Sequence, residues 1–279
     1  MVDSNHKGEV VFENVTRAVQ TKKTETIILD HCSFVIESGK LTVLIGPSGC
    51  GKTTIINLIA GYEKPDRGKV LIDGKPVAGP DRERLVAFQE TALFPWLTCY
   101  DNVMFGPLAT KVMTREEAHE QAINLLEKVG LGDFLYKYPM QLSGGMMRRA
   151  ELARALINRP TVMLMDEPFR GLDAMTRELM QEYYLRLVEE SHGTHLFVTS
   201  EIEEAIFLAD RLIIMTNKPS RVKHALDIDL PRPRIASVLR SKRYLELKAL
   251  TLEILHEEAV KASMASGKAD IAIDSGLRT

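Results

Sequence analysis

Two kinds of hydrophobic pattern alternate along most of the chain. Short apolar runs of the type found in strands occur at residues 10–12, 26–36, 41–45, 70–72, 85–88, 162–165, 196–199 and 212–215. Apolar positions three or four residues apart predict helices at residues 53–60, 118–129, 175–190 and 203–208. Strands that alternate with helices of this length usually form parallel sheets, so we expect a mainly parallel sheet covered by helices.

Two segments depart from this alternation. Residues 97–159 carry helical patterns, including a helix that starts at Ser143, but no strand pattern. We interpret them as an inserted helical subdomain. Residues 17–25 are polar and lie between the first two strand patterns, so we expect a loop there.

The C-terminal part has a different character. Residues 231–234 read Pro-Arg-Pro-Arg and predict a linker. Residues 239–260 have the periodicity of an amphipathic helix, and we expect a frayed tail over residues 263–279. We therefore divide the chain into one large domain, residues 1–230, and an appendage, residues 231–279.

Composition narrows the class of protein. The chain has 279 residues, of which 45% are hydrophobic and 27% charged, and its formal net charge of −2 gives no electrostatic case for a nucleic-acid partner. Three scattered cysteines, Cys32, Cys50 and Cys99, suit a reducing compartment better than a disulfide framework or a zinc cluster. No apolar run approaches the roughly 20 residues of a membrane span, and the polar N-terminus resembles no signal segment. We therefore expect a cytosolic chain.

A phosphate-binding loop follows the strand at residues 41–45. The loop reads GPSGCGKT and fits the pattern GxxxxGK[ST] between a strand and a helix. Glycines let successive backbone N–H groups wrap phosphate oxygens, and the helix N-terminus adds partial positive charge. Lys52 would lie along the β- and γ-phosphates of ATP, and Thr53 would ligate Mg²⁺. The candidate ATP-binding residues are Gly46, Pro47, Ser48, Gly49, Cys50, Gly51, Lys52, Thr53 and Thr54.

The loop also contains a cysteine, and the whole segment has an alternative interpretation. Cys50 occupies a variable position of the pattern, and we interpret it as a small filler and not as a nucleophile. The alternative for the whole segment is a glycine-rich turn that contains a lysine by chance.

A second candidate site is the acidic end of the strand at residues 162–165. Asp166 and Glu167 follow this apolar run directly. Two adjacent carboxylates at a buried strand end cost free energy unless a cation or water uses them. Asp166 is placed to hold Mg²⁺, and Glu167 to orient or deprotonate the attacking water. Alternatively, the acids could cap a helix whose first turn contains Pro168.

The segment QLSGGM, residues 141–146, resembles the LSGGQ signature of ABC transporter ATPases. The order of motifs is also that of the family: phosphate loop, a glutamine loop at Gln89, signature, then MDEP and a GLD segment that ends at Asp173. The resemblance covers about residues 8–230. It is closest to importer ATPases of the nitrate, sulfonate and taurine group, for which DEPF, GLDAMTR and LFPWLT are typical.

The resemblance implies an α/β fold of the P-loop NTPase class: a mainly parallel core sheet, an antiparallel β subdomain and the inserted α-helical subdomain. It also implies a head-to-tail dimer, in which ATP bound by one subunit is covered by Ser143, Gly144 and Gly145 of the other. Asp173 would belong to the loop at the dimer contact, and Gln89 would contact Mg²⁺ or the attacking water. A serine that opens a helix can also be a plain N-cap, and Ser143 can be both.

The segment after Gln89 carries the apolar residues 92–97, including Trp96, the only tryptophan. We interpret it as part of a groove that receives a helix from a membrane subunit. The alternative is a loop that packs against its own core.

Two positions depart from the family pattern. The family usually has a histidine that touches the γ-phosphate where this chain has Ser200, which is shorter and neutral. Ser200 is therefore a candidate catalytic residue, and the alternative is a capping box formed with Glu203. An aromatic residue usually stacks on adenine near Val19, which has no π face. His192 and His195 are interpreted as turn and strand residues and not as substitutes for the missing histidine.

Together these features predict the ATP-hydrolysing subunit of an importer for a small anion or small organic nutrient, with ATP and Mg²⁺ as cofactors. The expected partners are transmembrane permease subunits, a second ATP-binding subunit that is identical or paralogous, and an extracytoplasmic solute-binding protein. The expected location is the cytoplasmic face of the plasma membrane.

Three alternatives belong to other classes. A degenerate subunit that relies on a more active paralogue is suggested by Ser200 and Val19. A lipid-transport ABC ATPase is the second. A soluble ABC ATPase acting on DNA or ribosomes usually carries long coiled-coil insertions or two cassettes in one chain, and this sequence has neither.

Overall fold

The computed structural model describes residues 7–20, 24–111, 113–191 and 193–265. The strands within these ranges are β1 (Val10–Gln20), β2 (Glu25–Ile36), β3 (Leu41–Ile45), β4 (Arg67–Ile72), β5 (Lys75–Pro76), β6 (Arg84–Ala87), β7 (Val162–Asp166), β8 (Thr194–Thr199), β9 (Arg211–Met215) and β10 (Val222–Asp227). The helices are α1 (Lys52–Ala60), α2 (Cys99–Thr110), α3 (Arg115–Lys128), α4 (Gly144–Leu156), α5 (Ala174–Ser191), α6 (Ile202–Leu208) and α7 (Lys242–Ala265).

The strands form two sheets. The larger has the order β10-β9-β3-β8-β7-β6, and all its neighbours pair in parallel except the edge strand β10. The smaller has the order β2-β1-β4-β5 and is antiparallel. Both the mainly parallel core and the antiparallel subdomain are thus confirmed.

The core strands are buried on both faces, which explains why β3 and β7 are apolar at nearly every position. On one face, Val43 and Phe197 pack with α5, α6 and α7. On the other, Leu44 and Val198 pack with α1 and the antiparallel sheet. This arrangement fixes the carboxyl ends of β3, β7 and β8 at one edge.

Helices α2, α3 and α4 enclose a hydrophobic cluster of their own that includes Val103, Leu126 and Ala150. Helix α3 begins with a reciprocal capping box, in which the Thr114 hydroxyl accepts from the Glu117 N–H and the Glu117 carboxylate accepts from the Thr114 N–H. These helices occupy the segment predicted as a helical subdomain. The boundaries proposed between domains stay a prediction.

The loop predicted between the first two strands is wrong at both of its ends. Strand β1 continues to Gln20 and β2 begins at Glu25, while residues 21–23 lie outside the described part. The Arg17 side chain, although polar, is paired: its guanidinium bonds Glu63 at 3.0 Å. The polar pattern was misleading because the backbone hydrogen bonds that pair two strands form whether or not the side chains are apolar.

The predicted linker at residues 231–234 is held against the core. Arg232 pairs with Asp210 at 2.6 Å, and the Arg234 guanidinium, only 3% exposed, donates to the carbonyls of Phe207 and Ala209. The amphipathic helix that follows is confirmed as α7. Its buried face contains Tyr244, Leu247, Thr251, Ile254 and Glu258.

The frayed tail predicted from residue 263 starts too early, because α7 continues to Ala265; the rest of it, residues 266–279, lies outside the described part of the chain. Within the described ranges, none of the helices is at once long enough and apolar enough to cross a bilayer.

Candidate nucleotide-binding site

A cleft of about 360 Å³ opens at the carboxyl ends of β3 and β7. Its lining residues are Val19, Ile28, Ser48, Gly49, Gly51, Lys52, Thr53, Thr54, Gln89, Asp166, Glu167, Arg170 and Lys218. The phosphate loop, the glutamine loop and both candidate acids therefore meet in one place, although they come from distant parts of the sequence.

The phosphate loop has the geometry of an anion cradle. Gly49 and Gly51 have φ values of 76° and 102°, in the left-handed region that glycine adopts without a steric penalty. The N-cap of α1 is Gly51, so no side chain caps the N–H groups of the first turn, as in helices that bind phosphate. The Lys52 ammonium donates to the carbonyls of Gly46 and Pro47 at 2.9 and 3.3 Å, which holds it over the loop. These residues fit the phosphates of ATP.

The thiol of Cys50 lies inside the loop and not in the cleft. Cys50 is 1% exposed, and a Cβ added at Gly46 would come within 2.9 Å of its Sγ. Burial raises the pKa of the Cys50 thiol. Burial also raises the pKa of Cys32 to about 12 and that of Cys99 to about 11. A buried, protonated thiol agrees with the interpretation of Cys50 as a filler.

The two proposed magnesium ligands are in contact. The Thr53 hydroxyl donates to an Asp166 carboxylate oxygen at 2.9 Å, and Asp166 is 9% exposed. Burial raises the pKa of Asp166, and the hydrogen bond from Thr53 opposes that change. A hydroxyl and a carboxylate are hard oxygen ligands of the kind Mg²⁺ prefers, so this pair fits the ion. An ion there would favour the charged form of the Asp166 carboxylate.

Glu167 is held in an uncommon backbone conformation. Its φ is 43°, which for a residue with a side chain costs of order 1–3 kcal/mol and occurs preferentially at functional sites. Its N–H donates to the Val198 carbonyl at 2.9 Å, and its carboxylate pairs with Arg170 at 2.9 Å. The alternative that the two acids cap a helix is wrong. Helix α5 starts only at Ala174.

Asp173 makes the cap at the start of α5 instead. Its carboxylate accepts from the Thr176 N–H at 3.0 Å, and hydrogen bonds from Thr176 lower the pKa of Asp173. The residue predicted for the dimer contact is thus fixed at the surface in its ionised form.

Gln89 lines the cleft, and a buried arginine from the signature helix holds its backbone. The Arg148 guanidinium donates to the carbonyls of Phe88 and Gln89 and pairs with Glu151. The side chains of Arg148 and Glu151 are each only 4% exposed. Sequence reasoning missed this pair, although two opposite charges three residues apart on an alanine-rich helix are a usable signal.

The signature residues lie at the start of α4, away from the cleft's lining. Ser143 is the N-cap, and its hydroxyl accepts from the Met146 N–H at 3.3 Å, so the plain-cap alternative applies. A side chain added at Gly144 would meet nothing within 4 Å, whereas one at Gly145 would come within 2.7 Å of Thr176. The surface beside Gly144 is therefore open.

The capping box predicted between Ser200 and Glu203 is wrong. Helix α6 has Glu201 as its N-cap without a side-chain bond, and the Thr199 hydroxyl accepts from the Glu201 N–H at 3.0 Å. Glu203 instead pairs with Lys248 of α7. Ser200 is exposed at the end of β8 and is not among the described residues that line the cleft.

Val19 and the two histidines near the missing family histidine have different environments. Val19 lines the cleft and is 41% exposed. His195 is a buried strand residue that bonds the hydroxyls of Tyr184 and Ser191 at 2.9 and 3.0 Å, and burial lowers its pKa to about 4. His192 lies outside the described residues.

The apolar segment after Gln89 is partly buried and partly open. Leu93 packs inside the helical cluster at 9% exposure, but Trp96 is 70% exposed and stacks on Phe94 with 5.5 Å between ring centroids. Phe94 and Phe105 also line a groove of about 210 Å³ between α2 and α4. Leu93 thus packs against its own core, as the alternative expected, whereas the groove for a membrane subunit stays a prediction that the exposure of Trp96 permits.

Comparison with known proteins decides the family. A model of the ABC transporter family matches residues 29–170, which include the phosphate loop, the signature and both acids. The chain belongs to the ABC transporter family, as an ATP-hydrolysing ATP-binding subunit. The fold described above is therefore that of an ABC ATPase.

Relatives of this ABC ATPase match it over nearly their whole length. The nitrate transport protein NasD of Klebsiella oxytoca is 40% identical over 261 residues, which cover 92% of this chain and 100% of that protein. The bicarbonate transport ATP-binding protein CmpD of Synechococcus elongatus is 38% identical, covering 90% and 91%. A dimeric post-hydrolysis structure of the ATP-binding cassette MJ0796 with ADP and Pi is 31% identical, with a TM-score of 0.67, covering 78% and 98%.

Proposed function

We propose that this ABC ATPase powers the import of a small inorganic anion, of the size and charge of nitrate or bicarbonate. The observation that carries the proposal is the whole-length similarity to NasD and CmpD. The ATPase would lie on the cytoplasmic face of the plasma membrane and act with separate permease subunits and an extracytoplasmic solute-binding protein. Nothing in these relationships favours a lipid-transport ATPase or a degenerate subunit.

The residues of the cleft divide the chemistry of hydrolysis among them. Lys52 and the N-terminus of α1 would hold the β- and γ-phosphates, because they supply positive charge and N–H donors at one point. Thr53 and Asp166 would hold Mg²⁺, which when bound neutralises charge on the phosphate oxygens. Glu167 would orient the attacking water and accept its proton. Its carboxylate would first exchange the Arg170 contact for that water.

The second half of the site would come from another ATP-binding subunit. Ser143, Gly144 and Gly145 open α4 at the surface and offer a hydroxyl and backbone N–H groups to an anion. ATP between two such surfaces would hold the dimer together, and its hydrolysis would release the subunits. The dimeric state of the MJ0796 cassette supports this arrangement.

The permease would contact the exposed aromatic groove around Phe94, Trp96 and Phe105. Arg148 joins the glutamine loop to the signature helix, so movement at this groove would reach both halves of the site. Trp96 would be the side chain that a permease helix covers, since it is the most exposed of the three.

Transport in a reconstituted system tests the substrate class. The chain would be reconstituted with candidate permease and solute-binding subunits in vesicles that contain ATP. We expect nitrate or bicarbonate to stimulate ATP hydrolysis when the binding protein is present. Stimulation by a neutral organic solute alone, with neither anion active, would refute the anion proposal without affecting the family assignment.

Co-purification tests the groove. Trp96→Asp should abolish capture of the permease and leave nucleotide binding unchanged, because a charge placed in an apolar contact is not solvated. Tyr136→Asp is the matched control, since Tyr136 is 76% exposed and its ring neighbours Tyr100, whereas Trp96 stacks on Phe94 of the groove. Leu93 is unsuitable as a probe because it is buried. Wild-type yields of permease with Trp96→Asp would exclude the groove.

A further inference from the structure

The turn at residues 216–221, between β9 and β10, is tied to three other parts of the molecule. It is closed within itself, because the Ser220 hydroxyl donates to the Thr216 carbonyl at 2.7 Å and the Arg221 N–H donates to the Thr216 hydroxyl at 2.9 Å. No sequence motif pointed to this turn. Its position beside the nucleotide cleft suggests a role there.

The turn lies against two parts of the cleft, the strand β2 and the phosphate loop. The Ser220 N–H donates to the carbonyl of Ile28, which lines the cleft, at 2.8 Å, and the Asp30 N–H donates to the Ser220 carbonyl at 3.0 Å. Met215, directly before the turn, lies against the phosphate loop: a Cβ added at Gly46 would come within 2.9 Å of the Met215 Cβ. Ser220 is completely buried, so the turn has a fixed place against the phosphate loop.

The third contact is with the C-terminal helix α7. The Asn217 N–H donates to the Glu258 carboxylate at 3.2 Å, and the Asn217 side-chain amide donates to the Glu258 carbonyl. Glu258 is 3% exposed and also accepts from Lys223 at 2.9 Å and Lys261 at 3.2 Å. Burial opposes ionisation of Glu258, but the hydrogen bonds led by Lys223 lower its pKa overall. The helix thus holds the residue next to Lys218.

Lys218 stands at the tip of this turn and lines the cleft. Its Nζ lies 3.6 Å from the point where a Cβ would be placed on Gly49. Among the described residues, three cations line the cleft, and two of them have protein partners: Lys52 bonds loop carbonyls and Arg170 pairs with Glu167. Among the residues that the structure describes, no carboxylate pairs with Lys218.

We propose that Lys218 is an additional nucleotide-binding residue that contacts the phosphate chain, and that α7 positions it through the bonds between Asn217 and Glu258. An ammonium group beside a cradle of backbone N–H groups adds charge to an anion site that is already built. The proposal rests on nucleotide binding alone and is independent of the transported anion.

Nucleotide affinity measured with Lys218→Gln tests the contact. We expect the Kd for ATP and for ADP to rise roughly three- to tenfold, which is less than for a buried ion pair because Lys218 is exposed and screened by solvent. The Kd for adenosine, which has no phosphate, should not change. Raising the salt concentration should reduce the difference between variant and wild type. Lys218→Arg should retain most of the affinity.

The matched control is Lys75→Gln, which removes the same charge from an exposed position on β5. Its Kd values should equal those of the wild type. Two outcomes would overturn the contact: unchanged ATP and ADP affinity in Lys218→Gln, or an equal loss for adenosine, which would indicate a distorted cleft.

A double-mutant cycle tests the positioning by α7. Asn217→Ala removes the amide bond to Glu258 and leaves the buried ion pairs in place, so the fold should survive, as a thermal unfolding curve would verify. We expect a smaller loss of ATP and ADP affinity than in Lys218→Gln and no further loss in the double variant. Fully additive losses, or no loss in Asn217→Ala, would show that Lys218 acts without α7.

Discussion

Two helix N-termini in this protein carry glycine-rich motifs, but they are built differently. Helix α1 follows Gly51, has no side-chain cap, and opens into a cleft that its own chain completes with Asp166 and Lys52. Helix α4 follows Ser143, which already caps it, and a side chain at Gly144 would meet nothing.

The two N-termini differ in whether one chain completes the site around them. We expect α1 and its surroundings to bind the phosphates without a partner. The start of α4 lies outside the cleft and is open at Gly144, as we expect of a surface that acts on another subunit. The following predictions test this division of labour.

The largest effect, on the free energy of unfolding, is expected at Arg148, which joins the signature helix to the glutamine loop. Arg148→Leu leaves Glu151 buried and uncompensated and should lower the free energy of unfolding by about 3–5 kcal/mol. Urea denaturation would measure this. Arg149→Leu, on the same helix, loses one hydrogen bond to the Val129 carbonyl and should cost about 1 kcal/mol. Equal losses in both variants would mean that the Arg148–Glu151 pair has no special role.

Glu167→Gln tests the completeness of the half around α1. Turnover should fall roughly 10²-fold or more while ATP still binds, because the amide cannot take a proton from water. ATP should then trap a closed dimer, which size-exclusion chromatography would detect. Glu178→Gln, an exposed change on α5, serves as control. A steady-state ATPase rate unchanged by Glu167→Gln would contradict the assignment.

Ser200→His tests whether the half of the site around α1 is slow because it lacks the family's histidine. If the missing histidine leaves the chain's own site slow, then restoring it should raise turnover roughly 10- to 100-fold, the effect of a charge-assisted hydrogen bond of about 1.5–3 kcal/mol. In that case we expect the transporter to pair this chain with a more complete paralogue, which subunit masses would reveal. Ser200→Ala is the control and should leave stability unchanged, since Ser200 caps no helix. A fast homodimer that Ser200→His does not accelerate would refute the pairing.

Gly144→Ala probes the half that faces a partner and should have the smallest effect. The added methyl group is accommodated within the chain, so stability should change by less than about 0.5 kcal/mol. Dimer turnover should nevertheless fall roughly tenfold, because the methyl group would stand between α4 and the partner's nucleotide. Gly79→Ala, which also points into open space, should change neither quantity. Full activity of Gly144→Ala would place the signature away from the nucleotide.

Sequence was sufficient for features that continuous segments encode. The buried strands β3 and β7 are apolar at nearly every position, and the phosphate loop, the acids and the signature are short motifs, so both kinds of feature could be located without a structure. The helix over residues 239–260 was found because its buried face repeats at helical spacing.

Features that depend on distant contacts escaped prediction. Arg17 was assigned to a loop because its partners, Glu63 and Asp66, are remote in sequence. Lys218 joins the cleft only because β9 lies beside β3 in the sheet. The capping box at Ser200 failed because the neighbouring Thr199 hydroxyl makes the local bond instead.

The buried thiol of Cys50 gives this protein an internal probe of motion. Thiol reagents attack only exposed thiolates, and Cys50 is both enclosed and protonated, so modification requires the phosphate loop to open first. The rate of labelling would therefore report how often the loop opens, and bound nucleotide should lower that rate. Cys32, buried in the same hydrophobic cluster as Cys50, and Cys99, buried in the cluster of the helical subdomain, would report on their own surroundings in the same experiment. Peptide mapping of the labelled cysteines would thus give the rate of local opening around each one without any engineered residue.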